Sequence, residues 1–543
     1  MRHRFAPVPL FGALTALACL ALGEAGCARR ETPAAEGIRT HTLLLGNQNE
    51  PADLDPHVVN AYTDMNILVA LFEGLTVLDE KTSAGLPGVA ERWDVSADGL
   101  TYTFHLRADA RWSNGDPVTA RDFAFSFQRI LTPAFGAEYS YMLWPIKNAE
   151  AFNKGKLSDF ASVGVDVVDD RTLRIRLERP TPYLPSLAAH GTWLPLHRAT
   201  LEKFDAVAKR GTAWTRPGNL VSNGPFTLAE WTPNARLVVT KNPRYWDAAH
   251  TQLEKIVFFP IEKNDVEERD FRAGQLHITY ELPMAKVPAY RTASPAQLRS
   301  DPLLDTLYVN FNVTKPPLDN PKVRRALALA IDRESISHRL FYDVWPAAHA
   351  LTPANCGSYT PRAQVPNDFA AARQLLAEAG HPGGRGLPAM AIQVLNDANQ
   401  PRIAEALQEM WARELGVHIT IEPYEQKTWL QNQQTKTHTI GLMGWVADFA
   451  DPVTFLSLMQ TDNGNNWTGW SNKTYDQLLE QAANTADPNA RFEIFQRAEA
   501  LMLEDAPIAP LINRARTYLI RPEVKNWDPA PLGFHRFQRV QLD

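Results

Sequence analysis

The chain has 543 residues, with 55 Lys and Arg against 61 Asp and Glu and a net charge of −6. At roughly 150 residues per domain this length suggests three or four domains, and it is enough to bury a large core. No basic stripe is present to hold a nucleic-acid backbone, and beyond the N-terminal segment no run is long and apolar enough to cross a bilayer.

In chain order, Met1-Arg2-His3-Arg4 is a short basic cluster, followed at 10–22 by the uncharged run LFGALTALACLAL. That run is shorter than the ~20 residues needed to span a membrane and suits the apolar region of an export signal, predicted to occupy 1–27. Two processing routes stay open. Ala25-Gly26-Cys27 is similar to a bacterial lipobox, which would lipidate Cys27, although Glu24 stands where that motif usually has leucine. Ala16-Leu17-Ala18 is an A-x-A pattern suited to ordinary signal cleavage. Of the three cysteines, Cys19 and Cys27 lie in this segment, so Cys356 is left without an internal disulfide partner.

The body reads as mixed α/β. Residues 101–106 and 172–177 alternate apolar and polar side chains as half-buried strands do. Asn114-Gly115-Asp116-Pro117 is turn chemistry, after which Thr119 caps a helix through Phe125. Glu267-Glu268 sits in a charged helical stretch and is expected on a solvated face. Asp319-Asn320-Pro321 opens a helix through Leu327, with proline near the first turn where its missing N–H is harmless. Helices are predicted at 368–379, ended by Gly380, and at 402–414, ended by Gly416; β-like segments follow at 390–395 and 417–421. Asp451, directly before Pro452, is a helix-cap candidate, which leaves Asp448 free for other work.

Enzyme signatures are missing. There is no nucleophile elbow, no H-E-x-x-H helix and no phosphate-cradling glycine loop. Gly383-Gly384-Arg385-Gly386 follows a helix and precedes a strand, the reverse of a nucleotide loop, and reads as a connector. The 14 histidines show no close metal-ligand spacing. No cofactor, no metal site and no catalytic residue is expected.

An ordered set of motifs nevertheless spans the chain. It begins with Leu54-Asp55-Pro56-His57, Leu71-Phe72-Glu73-Gly74-Leu75, Gly99-Leu100-Thr101-Tyr102-Thr103-Phe104 and Trp112-Ser113-Asn114-Gly115-Asp116-Pro117. It continues through Ser222-Asn223-Gly224-Pro225-Phe226, Asn242-Pro243-Arg244-Tyr245-Trp246 and Lys315-Pro316-Pro317-Leu318-Asp319, and closes with Gly444-Trp445-Val446-Ala447-Asp448. In this the chain resembles the periplasmic oligopeptide-binding proteins, members of the peptide/nickel family (family 5) of solute-binding proteins for ABC transporters. The resemblance implies a two-lobed, Venus-flytrap α/β fold with an extra subdomain, closing over its ligand by hinge motion. It places the first lobe at 29–72, 198–304 and 516–543, the subdomain at 73–197 and the second lobe at 305–515. It also implies a monomer in the periplasm or cell envelope, lipid-anchored if Cys27 is modified, whose partners are an oligopeptide and the permease subunits of an importer.

The same resemblance assigns a site. Asp448 would pair with the peptide α-ammonium, and Gly444, Trp445 and Val446 would form the strand that meets the peptide backbone. Tyr139, Asn60, Tyr62 and Asn396 fall at pocket-lining positions. Main-chain pairing to an added strand ignores side-chain identity, and bridging waters let roomy pockets accept varied side chains. The charged ends need fixed partners, because a buried unpaired charge is costly. Here the pattern departs from the family: an arginine that helps hold the peptide carboxylate is replaced by Leu442, a second upstream arginine aligns near Gln433, and a pocket tryptophan falls at Gln426. Lys436 and His438 are the nearby candidates to replace the lost cation. Without one, longer peptides, C-terminally modified peptides or amines lacking a carboxylate would be favoured. Other readings are a same-fold receptor for a murein peptide, an oligosaccharide or a nickel chelate, and an exported hydrolase or structural lipoprotein.

Overall fold

The computed structural model describes residues 31–543. The export signal and Cys27 lie outside the described residues.

Two large hydrophobic cores divide the chain. One gathers apolar residues from Leu43 to Ile278 and is completed by Tyr518, Ile520 and the C-terminal stretch to Leu542. The other runs from Phe271 to Leu519 and borrows Leu532. The polypeptide therefore builds most of one body, crosses to make the second, and returns. Two long antiparallel strands, Leu298–Phe311 and Ile508–Leu519, make the crossing. At the Leu298/Leu519 end they meet the first lobe, where Thr279 N–H donates to Leu519 O and Leu282 N–H to Thr517 O.

The first core holds two four-stranded sheets. One runs Thr42–Gly46, Lys255–Phe259, Arg236–Lys241, Phe226–Thr232. The other, Ala90–Val95, Thr101–Leu106, Thr172–Arg176, Val165–Asp169, is antiparallel throughout. The second core is built on a five-stranded mixed sheet, in the order Ile419–Tyr424, Met390–Leu395, Ile440–Val446 and then the two crossing strands. Among the described residues no helix is long and apolar enough to cross a membrane.

Local chemistry accounts for many of the boundaries. Tyr102, Phe104 and Leu106 point inward while their neighbours are partly exposed, so the alternation at 101–106 is a half-buried strand. Helix Ala120–Leu131 starts where the Asp122 carboxylate accepts from the N–H and the hydroxyl of Thr119. Asn320 caps Pro321–Leu329 by accepting from Lys322 N–H. Helix Gln400–Leu415 begins earlier than the predicted 402, because Asp397 accepts from the N–H groups of Asn399 and Gln400 and Pro401 fits the first turn. It ends at Gly416 in the left-handed region (φ 65°), as expected. The following strand starts only at Ile419, since Val417 N–H is still tied back to Trp411 O.

One expectation is overturned. Glu267 and Glu268 are not on a solvated face but are 0% and 3% exposed. The Glu267 carboxylate accepts from the N–H groups of Tyr280 and Glu281, and burial raises it to about 7. Glu268 is ringed by Lys286, Arg272 and the Tyr290 hydroxyl. A charged helical face reads as solvent-facing only until a distant segment, here 280–290, supplies partners for it.

Candidate functional site

Strand Ile440–Val446 carries the candidate site. One edge pairs antiparallel with Leu298–Phe311 along its full length, placing Gly444 opposite Leu307, Trp445 opposite Thr306 and Val446 opposite Asp305. The other edge pairs with Met390–Leu395 only at Ile440 and Gly441. Leu442 through Val446 thus present an edge with no strand beside it among the described residues, and Val446 is 41% exposed. Unpaired strand edges are templates for an added strand, and folded proteins normally cover or blunt them.

Past Val446 the chain turns through 447–452. Asp451 pins this loop: its carboxylate makes two hydrogen bonds with Arg491, at 2.6 and 2.8 Å, and accepts from Val453 N–H at 2.9 Å. The expected cap is corrected: Pro452, not Asp451, holds the N-cap position of the short helix Val453–Leu456, and Asp451 accepts from Val453 N–H from one residue earlier. The buried ion pair was not legible in the sequence.

Asp448, freed from capping, is half-buried between two cavities. The larger, about 300 Å³, is lined by Tyr141, Tyr183, Trp445, Phe449 and Thr454. The smaller, about 80 Å³, is lined by Val69, Phe72, His190 and Phe534 among others. Burial alone pushes its carboxyl up to about 6, since no hydrogen bond or counter-charge from the described residues offsets it. Tyr139 and Tyr141 stand nearby with ring centroids 5.4 Å apart, and burial together with the Asp448 charge raises both phenols. His190 lies flat against Tyr139, Tyr183 stacks on Phe449 at 4.8 Å, and the Trp445 indole N–H donates to Thr454 Oγ1. An unpaired carboxylate among aromatic faces is an environment for an organic cation: Coulomb attraction and ring quadrupoles act together where water is scarce.

The remaining sequence candidates are placed unevenly. Asn60 is exposed, and its amide donates to Glu138 at 2.7 Å, tying a first-lobe loop to the segment bearing Tyr139. Tyr62 opens helix Tyr62–Leu71, donates its hydroxyl to Leu532 O and stacks on Phe534 at 4.7 Å. Gly533 makes this fit possible. Its φ is 74°, and a Cβ there would lie 1.3 Å from the Tyr62 hydroxyl oxygen. Gly533→Ala is accordingly expected to displace Tyr62 and destabilise the protein by more than about 1 kcal/mol, read as a lower melting temperature. Asn396 is exposed at the end of Met390–Leu395, outside both cavities of Asp448; its neighbour Asp397 lines a separate large cleft with Gln48, Glu281 and Arg402.

Of the expected substitutes for the missing arginine, His438 does not serve. Leu442 is fully buried core. Gln433 is buried and accepts from Asn310, and His438 is buried against the same Asn310 amide. Burial drives His438 down to about 4, so it carries no charge at neutral pH. The Lys436 side chain lies beside Gly469. Tyr141, Tyr183, Phe449, His190 and Phe534 were missed by sequence reasoning. Tyr141 and Phe449 had a signal, lying two residues after Tyr139 and directly after Asp448; the others come from distant segments with none.

Residues 86–467 match the model of the bacterial extracellular solute-binding proteins, family 5 Middle. The periplasmic oligopeptide-binding protein OppA of Salmonella typhimurium is 33% identical over 496 residues, 89% of each chain. The probable deoxycholate-binding periplasmic protein YgiS of Escherichia coli is also 33% identical, over 88% of this chain and 89% of that protein. Among solved structures, the unliganded open form of the periplasmic murein tripeptide-binding protein MppA superposes with a TM-score of 0.81 at 32% identity, covering 93% of this chain and 97% of that one.

Proposed function

Because the chain belongs to the bacterial extracellular solute-binding proteins of family 5, we propose that it captures oligopeptides between its two lobes, outside the cytoplasmic membrane, and passes them to the permease of an ABC importer. In this reading it binds its ligand without converting it and acts as a monomer, exported by its N-terminal signal and lipid-anchored if Cys27 is modified. The lobes follow the boundaries implied by the resemblance.

The single observation that carries the reading is the open edge of 442–446 ending at an unpaired carboxylate. An extended peptide laid along that edge gains main-chain hydrogen bonds and delivers its ammonium to Asp448. A neutral oligosaccharide has no charge to offer there, and a bile acid brings a carboxylate where a cation is wanted. Native mass spectrometry of the protein as purified tests the reading. The expected result is a ladder of peptide masses; a single sterol, sugar or metal complex would overturn it.

The pairing also sets a pH dependence. In the unliganded protein Asp448 sits near 6, and the ammonium needs its charged form. Binding therefore lowers that pKa and releases a proton at acidic pH. Peptide affinity is expected to be flat above about pH 7 and to fall by up to about tenfold per pH unit below about pH 6. Calorimetry across a pH series reads this directly; a profile flat down to about pH 5 would remove Asp448 from the contact.

A further inference from the structure

Leu442 and Gln433 carry no charge and His438 is neutral, and a cation approaches the site strand from a different strand. Arg514 lies on Ile508–Leu519 where the pairing with the other crossing strand is irregular, passing from Pro302 opposite Ala515 to Thr306 opposite Asn513. Such bulges re-aim side chains. Arg514 Nε lies 2.8 Å from Oδ2 of Asp305, whose side chain is 4% exposed. Asp305 in turn sits directly opposite Val446 on the site strand. The guanidinium extends toward Gly444, where Nη2 is 3.2 Å from the position a Cβ would occupy. Leu307, the pairing partner of Gly444, packs beside it. Gly444 has no positive φ, so its missing side chain supplies room, not backbone freedom.

Arg514 is thus held by Asp305, with the acidic groups of Glu281 and Asp397 also within its electrostatic reach. Its side chain is 35% exposed, and neither Nη group donates a hydrogen bond to protein among the described residues. A guanidinium has five donors in a planar fork, so Nε can face Asp305 while the two Nη groups face a second anion.

We propose that Arg514, fixed by Asp305 and given room by Gly444, binds the C-terminal carboxylate of the peptide. This rests on the peptide reading above and adds a ligand length to it. From Gly444 to Asp448 the chain spans at most ~13 Å at ~3.3 Å per residue. A peptide with its ammonium on Asp448 and its carboxylate on Arg514 therefore has about three or four residues. The expectation that a lost arginine favours long or C-terminally blocked peptides is reversed: the clamp is supplied by another strand.

Calorimetry with trialanine and tetra-alanine, each as free acid and as C-terminal amide, tests the proposal. The free acids are expected to bind about 10- to 100-fold more tightly than the amides, as for a charge-assisted hydrogen-bonded pair, and the ratio is expected to shrink for hexa-alanine. Arg514→Gln is expected to bring the ratio close to one, with a thermal melt to show that the variant is folded. If removing the counter-ion of Asp305 prevents folding, Arg514→Lys keeps a charge beside Asp305 but loses the fork, and is expected to narrow the ratio severalfold. Equal binding of acid and amide by the wild type, or a ratio unchanged in the substituted protein, overturns the role of Arg514 while leaving the peptide reading standing. If no alanine peptide binds in either form, the peptide reading fails and the Arg514 proposal with it.

Discussion

Asp448→Asn is expected to weaken peptide binding by about 3 kcal/mol or more, the scale seen when one partner of a desolvated ion pair is removed. Asparagine keeps the shape and loses the charge, so the change isolates the pairing with the ammonium. The same substitution is expected to raise the melting temperature of the unliganded protein. The reasoning follows from the direction of the shift: burial lifts the Asp448 pKa from 3.8 to about 6. The charged form is therefore disfavoured in the folded state. Its penalty is present above pH ~6 and is relieved as pH falls toward the unfolded value. A neutral residue avoids it at pH 7. Opposite signs for binding and stability are characteristic of a residue retained for its ligand. Calorimetry with a free and an N-acetylated peptide, together with a thermal melt, reads both. Unchanged affinity for the free peptide would take Asp448 out of the site.

The largest loss of stability is expected at the other carboxylate of the same loop. Asp451 and Arg491 have side chains 5% and 3% exposed and are joined by two hydrogen bonds. The guanidinium also lies over the rings of Phe495, at 4.5 Å, and Tyr183, at 5.2 Å. Asp451→Ala strands a buried cation and is expected to destabilise by about 3–5 kcal/mol in urea denaturation. Replacing both residues with apolar side chains of similar volume is expected to restore much of that loss, since two charges then no longer need desolvation. A loss below about 1 kcal/mol for the single change would mean that Arg491 finds another partner. Because Asp451 pins the loop that carries Asp448, the single variant is also expected to bind peptide more weakly.

The strands expected at 101–106 and 172–177, the cap at Thr119, the helices opening near Pro321 and Asp368, and the stop at Gly416 were all legible in the sequence. Each depends on side chains within a few residues of one another: period-2 burial, a carboxylate reaching a nearby N–H, a glycine where φ must turn positive. The family was legible as well, because its motifs are short and keep their order. Boundaries slipped where a neighbour outside the pattern took part, as Asp397 does for helix Gln400–Leu415.

What local pattern could not supply is the fate of polar and charged side chains whose partners lie far along the chain. Glu267 looked solvated until residues 280–281 closed over it, and His438 looked like a spare cation until burial against Asn310 made it neutral. Arg514 drew no attention in the sequence, because its meaning rests on Asp305, Gly444 and an irregularity in strand pairing. The sequence by itself determined a mixed α/β receptor and its family, and it singled out Asp448 as the candidate carboxylate for the ligand's positive end. Only the tertiary structure decided which strand edge is open and that Arg514 stands beside Asp305 and Gly444. Protonation and accessibility are set by desolvation and by contacts hundreds of residues apart, and these exist only once the chain has folded.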